Sequence, residues 1–233
     1  MTVTTIRPPF TVRLRPWLGS LTLAASAVAL AMALIWAPPD QVQGELVRIM
    51  YVHVPSAWRA YLACAIVFIA SVAWLWTRAP WTDAVAVASA EIGVLFTGLT
   101  LVQGSIWAKP TWGVWWTWEP RLLTTAAMFV MYVGYLLARS LSTDFERRAT
   151  RAAVLGVVFV VDVPIVHLSV LWLNSLHQLP TVLRAGGGPS LDDRMLATLL
   201  ASVVAGTLVY AWLLTERTAL ELARQTRIQR GRL

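Results

Sequence analysis

Six long apolar segments, separated by short stretches that hold most of the charged residues, dominate the pattern of the chain. A helix that crosses a bilayer needs roughly 20 mostly apolar residues, and its backbone must satisfy its own hydrogen bonds. Each segment meets that length, so each is predicted to be a membrane-spanning α-helix. The predicted spans are residues 17–37, 57–77, 84–106, 122–138, 152–173 and 195–215. The pattern therefore predicts an all-α integral membrane protein in which residues 1–233 form a single six-helix membrane domain.

The composition excludes several classes of protein. Apolar residues make up 58% of the chain and charged residues 13%, with a mean hydropathy of +0.63. Disordered chains have a low share of apolar residues, so this composition argues against disorder. A soluble fold this apolar could not cover its surface with polar groups, which argues against most soluble enzymes. Cys64 is the single cysteine, and the sequence has no CxxC or CxxCH motif. A disulfide scaffold, a thiol oxidoreductase and a c-type cytochrome are therefore not expected.

The distribution of basic residues predicts the orientation of the helices. The net charge is +7, and 18 of the 19 basic residues are arginine. If the N-terminus is cytoplasmic, thirteen basic residues fall on the cytoplasmic side and six on the outer side. Because basic residues are enriched in cytoplasmic loops, both termini are predicted to be cytoplasmic. Topology and membrane lipid account for the basic charge, so nucleic acid is not expected as a partner.

Three predicted outer segments contain the residues with the most distinctive chemistry. Residues 38–56 contain His53, about four residues before the second span, and residues 174–194 contain His177, about four residues after the fifth. Both imidazoles are therefore expected just above the membrane at similar height. Residues 107–121 lie between them in the sequence and contain five of the thirteen tryptophans.

Two imidazoles beside a tryptophan surface suit haem. Histidines can take the axial positions of the iron, aromatic rings can pack on the porphyrin, and arginines can pair with its propionates. The spacing alone leaves copper and zinc open as alternatives. An ordinary interfacial tryptophan belt is a second alternative, although four tryptophans within residues 112–118 exceed what a belt usually places in one segment.

The tryptophan-rich segment resembles the WWD signature of haem-handling proteins. It reads Trp112-Gly113-Val114-Trp115-Trp116-Thr117-Trp118-Glu119. Further motifs resemble those of the CcmC family, also called haem exporter protein C. They are Gly104-Ser105-Ile106-Trp107-Ala108-Lys109-Pro110, Arg121-Leu122, Tyr51-Val52-His53-Val54-Pro55, Val163-Pro164-Ile165-Val166-His167-Leu168-Ser169-Val170 and Leu176-His177-Gln178. The length and the six spans also match, but the signature ends in Glu119 where the family usually has Asp.

The resemblance implies a role in cytochrome c maturation. CcmC-like proteins hold haem b at the outer, periplasmic face of the bacterial inner membrane and present it to the haem chaperone CcmE. They work with CcmA, CcmB and CcmD as an ABC-type complex in which CcmA hydrolyses ATP. This chain has no Walker motif and is not expected to be an enzyme.

The resemblance also implies residue roles. The axial ligands would be His53 and His177, and the propionate partners would be Arg48 and Arg121. The platform for haem and for chaperone docking would comprise Trp107, Trp112, Trp115, Trp116, Trp118 and Glu119.

Two other functions remain as alternatives. A WWD-type cytochrome c haem lyase would usually be larger, with more spans and more histidines than the three found here. A transmembrane transporter of haem or another solute would usually show repeat symmetry or polar residues along a midplane path. The charged residues within the spans, Glu91 and Asp162, are each expected to bond a neighbouring helix or a partner subunit, and His167 is expected to be a packed polar residue inside the membrane rather than a metal ligand.

Overall fold

The computed structural model describes residues 15–173, 175–177, 182 and 190–230. Within this part of the chain, six helical segments are long and apolar enough to cross a membrane, which confirms the predicted all-α membrane fold. They are residues 17–36, 45–77, 80–112, 120–140, 145–172 and 193–228. The prediction of one domain over residues 1–233 extends beyond the described residues. Four of the basic residues counted for the predicted orientation also lie outside the described residues: Arg7, Arg13 and Arg232 on the predicted cytoplasmic side, and Arg184 on the predicted outer side.

The six segments contain seven α-helices and three shorter helical turns. The α-helices are α1 Arg15–Ala31, α2 Met50–Thr77, α3 Pro80–Trp112, α4 Pro120–Ser140, α5 Phe145–Val158, α6 Asp162–Trp172 and α7 Asp193–Arg230. A π-helical turn, Met32–Trp36, continues α1, and a 3₁₀ turn, Glu45–Ile49, leads into α2. A second 3₁₀ turn, Phe159–Val161, joins α5 to α6 within the fifth span.

Several helices extend beyond the predicted spans. The apolar windows measure the part of a helix that lipid covers, whereas the helix ends depend on local caps. Gly113 ends α3 with a positive φ of 80°, a conformation that glycine adopts without strain. Glu119 caps α4, where its side chain accepts a hydrogen bond from the Leu122 amide at 3.1 Å. The tryptophan-rich connection outside the helices is therefore residues 113–119, shorter than the predicted segment 107–121.

The interruption of the fifth span lies next to a proline. Pro164 is the third residue of α6, and its missing amide N–H cannot bond the backbone of the preceding turn. The turn of the chain directly before α6 is the 3₁₀ turn Phe159–Val161. The fifth span therefore consists of two α-helices joined by a 3₁₀ turn next to Pro164.

Close contacts between helices are built on small residues. The most extensive packing is between α2 and α3, and α1 packs mainly on α7. A Cβ atom at Gly93 in α3 would lie only 2.2 Å from Cε1 of the fully buried Tyr132 in α4. Cys64 is also fully buried in this core. Small residues let membrane helices approach closely, which increases van der Waals contact.

Polar side chains also link the helices. Glu91 of α3 accepts hydrogen bonds from Arg217 of α7 at 2.5 and 2.8 Å, which confirms the prediction that Glu91 bonds a neighbouring helix. Tyr132 donates to the carbonyl of Ala60 in α2 at 2.7 Å. The buried Oδ2 atom of Asp162 has no hydrogen-bond partner among the described residues, and a bond of that carboxylate to a partner subunit stays a prediction.

Candidate functional site

His53 lies in the first turn of α2, rather than in a loop before it as predicted. Its ring meets the ring of Trp107 edge-on, with centroids 5.7 Å apart and an interplanar angle of 78°. Gly104, one turn before Trp107 in α3, leaves the space that the imidazole occupies. A Cβ atom at Gly104 would lie 3.2 Å from Cε1 of His53. The buried Nδ1 atom of His53 has no hydrogen-bond partner among the described residues.

His177 lies beyond the end of α6, as predicted. Its ring meets the ring of Trp112 edge-on, with centroids 5.1 Å apart. Its Nδ1 atom lies 2.6 Å from Oε1 of Glu119, but the two atoms are not aligned for a hydrogen bond. Ser175 donates to the other oxygen of Glu119 and accepts a hydrogen bond from the His177 amide at 3.1 Å. Glu119 and Ser175 together therefore position His177.

The surroundings of His177 favour its neutral form. Burial of the ring lowers the pKa of His177 below its ordinary value. The Glu119 carboxylate opposes this shift, while the positive charge of Arg121 adds to it. The net direction is downward, and a lower pKa favours the neutral imidazole, which is the form that binds a metal ion.

The structure brings both predicted histidines to the same end of α3. Trp107 and Trp112, which contact His53 and His177, lie in the last turns of that helix. His53 also lies within electrostatic range of His177 and Arg121. Two imidazoles that are 124 positions apart in the sequence (177 minus 53) therefore lie near the same end of α3 and define a candidate site.

Arg121 contributes a cation to this site from the first turn of α4. Its Nη2 atom donates to the backbone carbonyl of His167 at 3.1 Å. Its Nε atom is buried and has no hydrogen-bond partner among the described residues. The guanidinium can therefore still donate a hydrogen bond to an acidic group of a bound molecule.

Arg48, the second predicted propionate partner, makes different contacts. Its Nη1 atom donates to the carbonyls of Ala33 and Ala37, and its Nε atom donates to Glu45 at 2.5 Å. These bonds fix the end of the first span to the turn that precedes α2. A role for Arg48 in binding propionates stays a prediction.

The five predicted platform tryptophans fall into an inner and an outer group. Trp107 and Trp112 are partly buried against the histidines, and the indole of Trp107 donates to Gln43 at 2.8 Å. Trp115 and Trp118 are 58% and 80% exposed, and Trp116 meets Trp118 edge-on. The inner pair can contact a ligand of the histidines, and the outer group presents an aromatic surface.

The packing predicted for His167 is not found among the described residues, whereas its position inside the membrane and its not binding a metal stay predictions. Its side chain is exposed on α6, and only its backbone carbonyl takes part in the site. The buried face of α6 is formed by Asp162, Val166, Ser169 and Val170, which recur at helical spacing. His167 directly follows Val166, so helical rotation turns it about 100° away from that residue.

Some residues of the site were not predicted from the sequence. Gly104 and Gln43 act through contacts that are remote in sequence, which no local pattern reveals. Ser175, two residues before His177, gave a weak local signal, since serine side chains often bond nearby backbone amides. Buried polar atoms without a partner among the described residues also occur at this end of the helices, on Tyr51, Gln103 and Thr117.

These observations fit haem better than a metal ion held by the protein alone. Among the described residues, no group of three His, Cys, Asp or Glu side chains is placed to hold a metal ion. Structural zinc sites usually use four protein ligands, whereas haem iron takes four of its ligands from the porphyrin and needs only axial donors from the protein. The orphaned Nε of Arg121 beside two imidazoles also suits a ligand with acidic groups.

The fold and the site define a class: a multi-pass membrane protein with a paired-histidine, tryptophan-rich site at one end of its helices. The family model described as heme exporter protein C matches residues 4–232. The chain is 40% identical over 203 residues to heme exporter protein C of Bradyrhizobium diazoefficiens, covering 87% of this chain and 76% of that one. It is 37% identical over 216 residues to heme exporter protein C of Haemophilus influenzae, covering 91% and 86%.

A more distant relative comes from a plant. The chain is 37% identical over 161 residues to a cytochrome c biosynthesis ccmC-like mitochondrial protein of Marchantia polymorpha, covering 69% of this chain and 68% of that one. The chain therefore belongs to the heme exporter protein C family. This confirms the resemblance found in the motifs.

Proposed function

We propose that this chain is the haem-delivery subunit of a cytochrome c maturation complex. It holds haem b at the outer, periplasmic face of the bacterial inner membrane and presents it to the haem chaperone CcmE. The observation that carries the proposal is the meeting of His53, His177 and Arg121 at one end of the helices, against Trp107 and Trp112. The names of the bacterial relatives support haem export, and that of the plant relative supports cytochrome c biosynthesis.

In this proposal His53 and His177 are the axial ligands of the haem iron. Glu119 is a positioning residue: its Oε1 atom lies 2.6 Å from Nδ1 of His177 and favours the tautomer that carries its proton there, which leaves Nε2 for the metal. A carboxylate bonded to a metal-binding histidine fixes its tautomer and ring orientation. Arg121 pairs with a propionate through its unbonded Nε, and Arg48 is the candidate for the second propionate.

Release of haem requires one of the two histidines to leave the iron. His53 is fixed within α2, whereas His177 follows α6 outside any helix. We therefore assign release to His177, with its departure coupled to docking of the chaperone on the exposed tryptophans. The proposal assigns a transport role and names no catalytic residue. CcmA, CcmB and CcmD are the proposed partner subunits, with ATP hydrolysis supplied by CcmA.

The docking step can be tested with the outer tryptophans. A double variant, Trp115→Ala with Trp118→Ala, should lower the amount of haem-loaded chaperone in cells by at least about tenfold, since interface tryptophans often contribute 2 kcal/mol or more. Haem staining of the chaperone provides the measurement. The matched control is Trp76→Ala, which removes an 86% exposed tryptophan near the opposite end of α2 and should leave loading unchanged. Normal chaperone loading in the double variant would contradict the docking assignment.

A further inference from the structure

A cavity lies at the end of the helices opposite the paired-histidine site. It has a volume of about 310 Å³ and opens between the end of α4, the start of α5 and the last turns of α7. Its lining includes Arg139, Phe145, Arg148, Gln225 and Ile228. Both cationic and apolar side chains therefore face the same space.

Arg139, which lines the cavity, and Arg224, in the last turns of α7, each have a carboxylate partner. Arg139 donates two hydrogen bonds to Asp83, at 2.5 and 2.8 Å, in a pair that is almost fully buried. Arg224 lies 3.8 Å from Glu221. The charges of these two arginines are therefore balanced within the protein.

Arg148 has no carboxylate of its own. The charged groups within its electrostatic range are the cations Arg139 and Arg224 and their partners Asp83 and Glu221, and no salt bridge of Arg148 itself is found among the described residues. Its buried Nε atom has no hydrogen-bond partner there, and its guanidinium lies 5.5 Å from the ring centre of Phe145. A partly buried charge without a partner is costly, so this site favours an anion.

The polar groups of the cavity also include an unused acceptor. The Nε2 atom of Gln225 lies 3.4 Å from carboxylate oxygens of both Asp83 and Glu221, an arrangement that fixes which side of the amide is the donor. Its buried Oε1 atom then has no donor among the described residues. A ligand that carries a phosphate and a hydroxyl group would satisfy both Arg148 and Gln225.

The position of the cavity matches a lipid headgroup. The 21 residues of α4 rise about 32 Å at 1.5 Å per residue, close to the thickness of the bilayer core. Its last residue, Ser140, also lines the cavity, so the cavity lies at the membrane boundary opposite Arg121. The predicted topology makes this the cytoplasmic boundary, where anionic lipids collect and where basic pockets between helices bind their headgroups.

We propose that this cavity binds the headgroup of an anionic phospholipid of the cytoplasmic leaflet. Arg148 pairs with the phosphate, and Oε1 of Gln225 accepts a hydrogen bond from a headgroup hydroxyl of the kind that phosphatidylglycerol carries. Phe145 and Ile228 contact the start of the acyl chains. The proposal is independent of haem binding, because none of these residues contacts the paired-histidine site.

Native mass spectrometry of the full purified chain tests the proposal. Phosphatidylglycerol should bind at least about tenfold more tightly than phosphatidylcholine, and Arg148→Gln should remove that preference. The matched control is Arg147→Gln, which removes the exposed neighbouring arginine outside the cavity and should keep the preference. Arg148→Lys, which keeps the charge, should retain part of it. Circular dichroism shows whether each variant folds.

Three results would overturn the proposal. The first is an unchanged lipid preference in Arg148→Gln, and the second is an equal loss in Arg147→Gln, which would indicate general attraction to surface charge. The third comes from a competition arm with inorganic phosphate. If phosphate alone displaces the lipid at comparable concentration, the site recognises free phosphate rather than a lipid headgroup.

Discussion

Glu119 connects the start of a helix with the orientation of a histidine. One of its oxygens caps α4 at the Leu122 amide and lies 2.6 Å from Nδ1 of His177, while the other accepts a hydrogen bond from Ser175. The side chain is only 6% exposed, so it has little freedom to move. The carboxylate that ends the tryptophan-rich signature therefore acts on His177 and need not contact haem itself.

Replacing Glu119 by Gln tests this role at the scale of one residue. The amide keeps the size of the side chain but loses the charge that holds His177, so haem affinity should fall roughly 10–100-fold, as is typical when a partner of a metal ligand is removed. A haem titration followed by absorbance measures the affinity. Glu119→Asp should recover most of it, and Glu146→Gln, at an exposed position at the opposite end, should not change it. Equal affinity in Glu119→Gln and the unchanged chain would contradict the positioning role.

The helices show how far the sequence pattern predicts the fold. All six spans were predicted from apolar length alone, because lipid imposes that length directly. The helix ends were not, because they depend on caps such as Gly113 and Glu119 and not on apolar composition. This error placed His53 in a loop, although it lies in α2.

The site shows the same limit. The sequence named both histidines and the tryptophans, since these residue types are rare and their motifs are distinctive. It could not show the contact of Gly104 with His53 or of Gln43 with Trp107, because both depend on how separate helices pack. It also predicted that His167 is packed inside the membrane. The side chain is exposed on α6, because one residue of rotation around a helix decides between burial and exposure.

The contact between α3 and α4 gives a prediction at the scale of the element. Gly93→Ala would place a methyl group 2.2 Å from the ring of Tyr132, which is fully buried and bonded to α2 and so cannot easily move. Overpacking of this kind should destabilise the protein by about 1–3 kcal/mol. Thermal unfolding in detergent measures the change.

Gly134→Ala provides the control for the Gly93 substitution. Gly134 lies in α4, which packs on α3. Apart from its chain neighbours and the backbone of its own helix, no atom lies within 4 Å of the Cβ that alanine would add there. Since alanine favours helix over glycine by up to about 1 kcal/mol, Gly134→Ala should be neutral or slightly stabilising. If both variants melt at the same temperature, close packing at Gly93 does not limit stability.

At the scale of the whole molecule, the two ends of the helices carry different chemistry. One end has the paired histidines, Arg121 and exposed tryptophans, and the other has the buried Asp83–Arg139 pair and an excess of arginine. The positive-inside bias predicts that the arginine-rich end faces the cytoplasm. The histidine end would then face the compartment in which the chaperone is proposed to collect haem.

This orientation can be measured by cysteine labelling. In a chain with Cys64→Ser, a cysteine replacing Val114 should react with a membrane-impermeant maleimide in intact spheroplasts. A cysteine replacing Arg227 should react only after the membrane is permeabilised. Both positions are exposed, so accessibility depends on the side of the membrane. The reverse pattern would contradict the predicted topology.

The optical spectrum of the haem-loaded protein tests the central claim most directly. With His53 and His177 both bound to the iron, the purified chain should show the spectrum of six-coordinate, low-spin haem. His53→Ala and His177→Ala should each abolish that spectrum, while His167→Ala should leave it unchanged because that side chain lies outside the site. If His53→Ala and His177→Ala both leave the spectrum unaltered, the assignment of these two histidines as haem ligands is wrong.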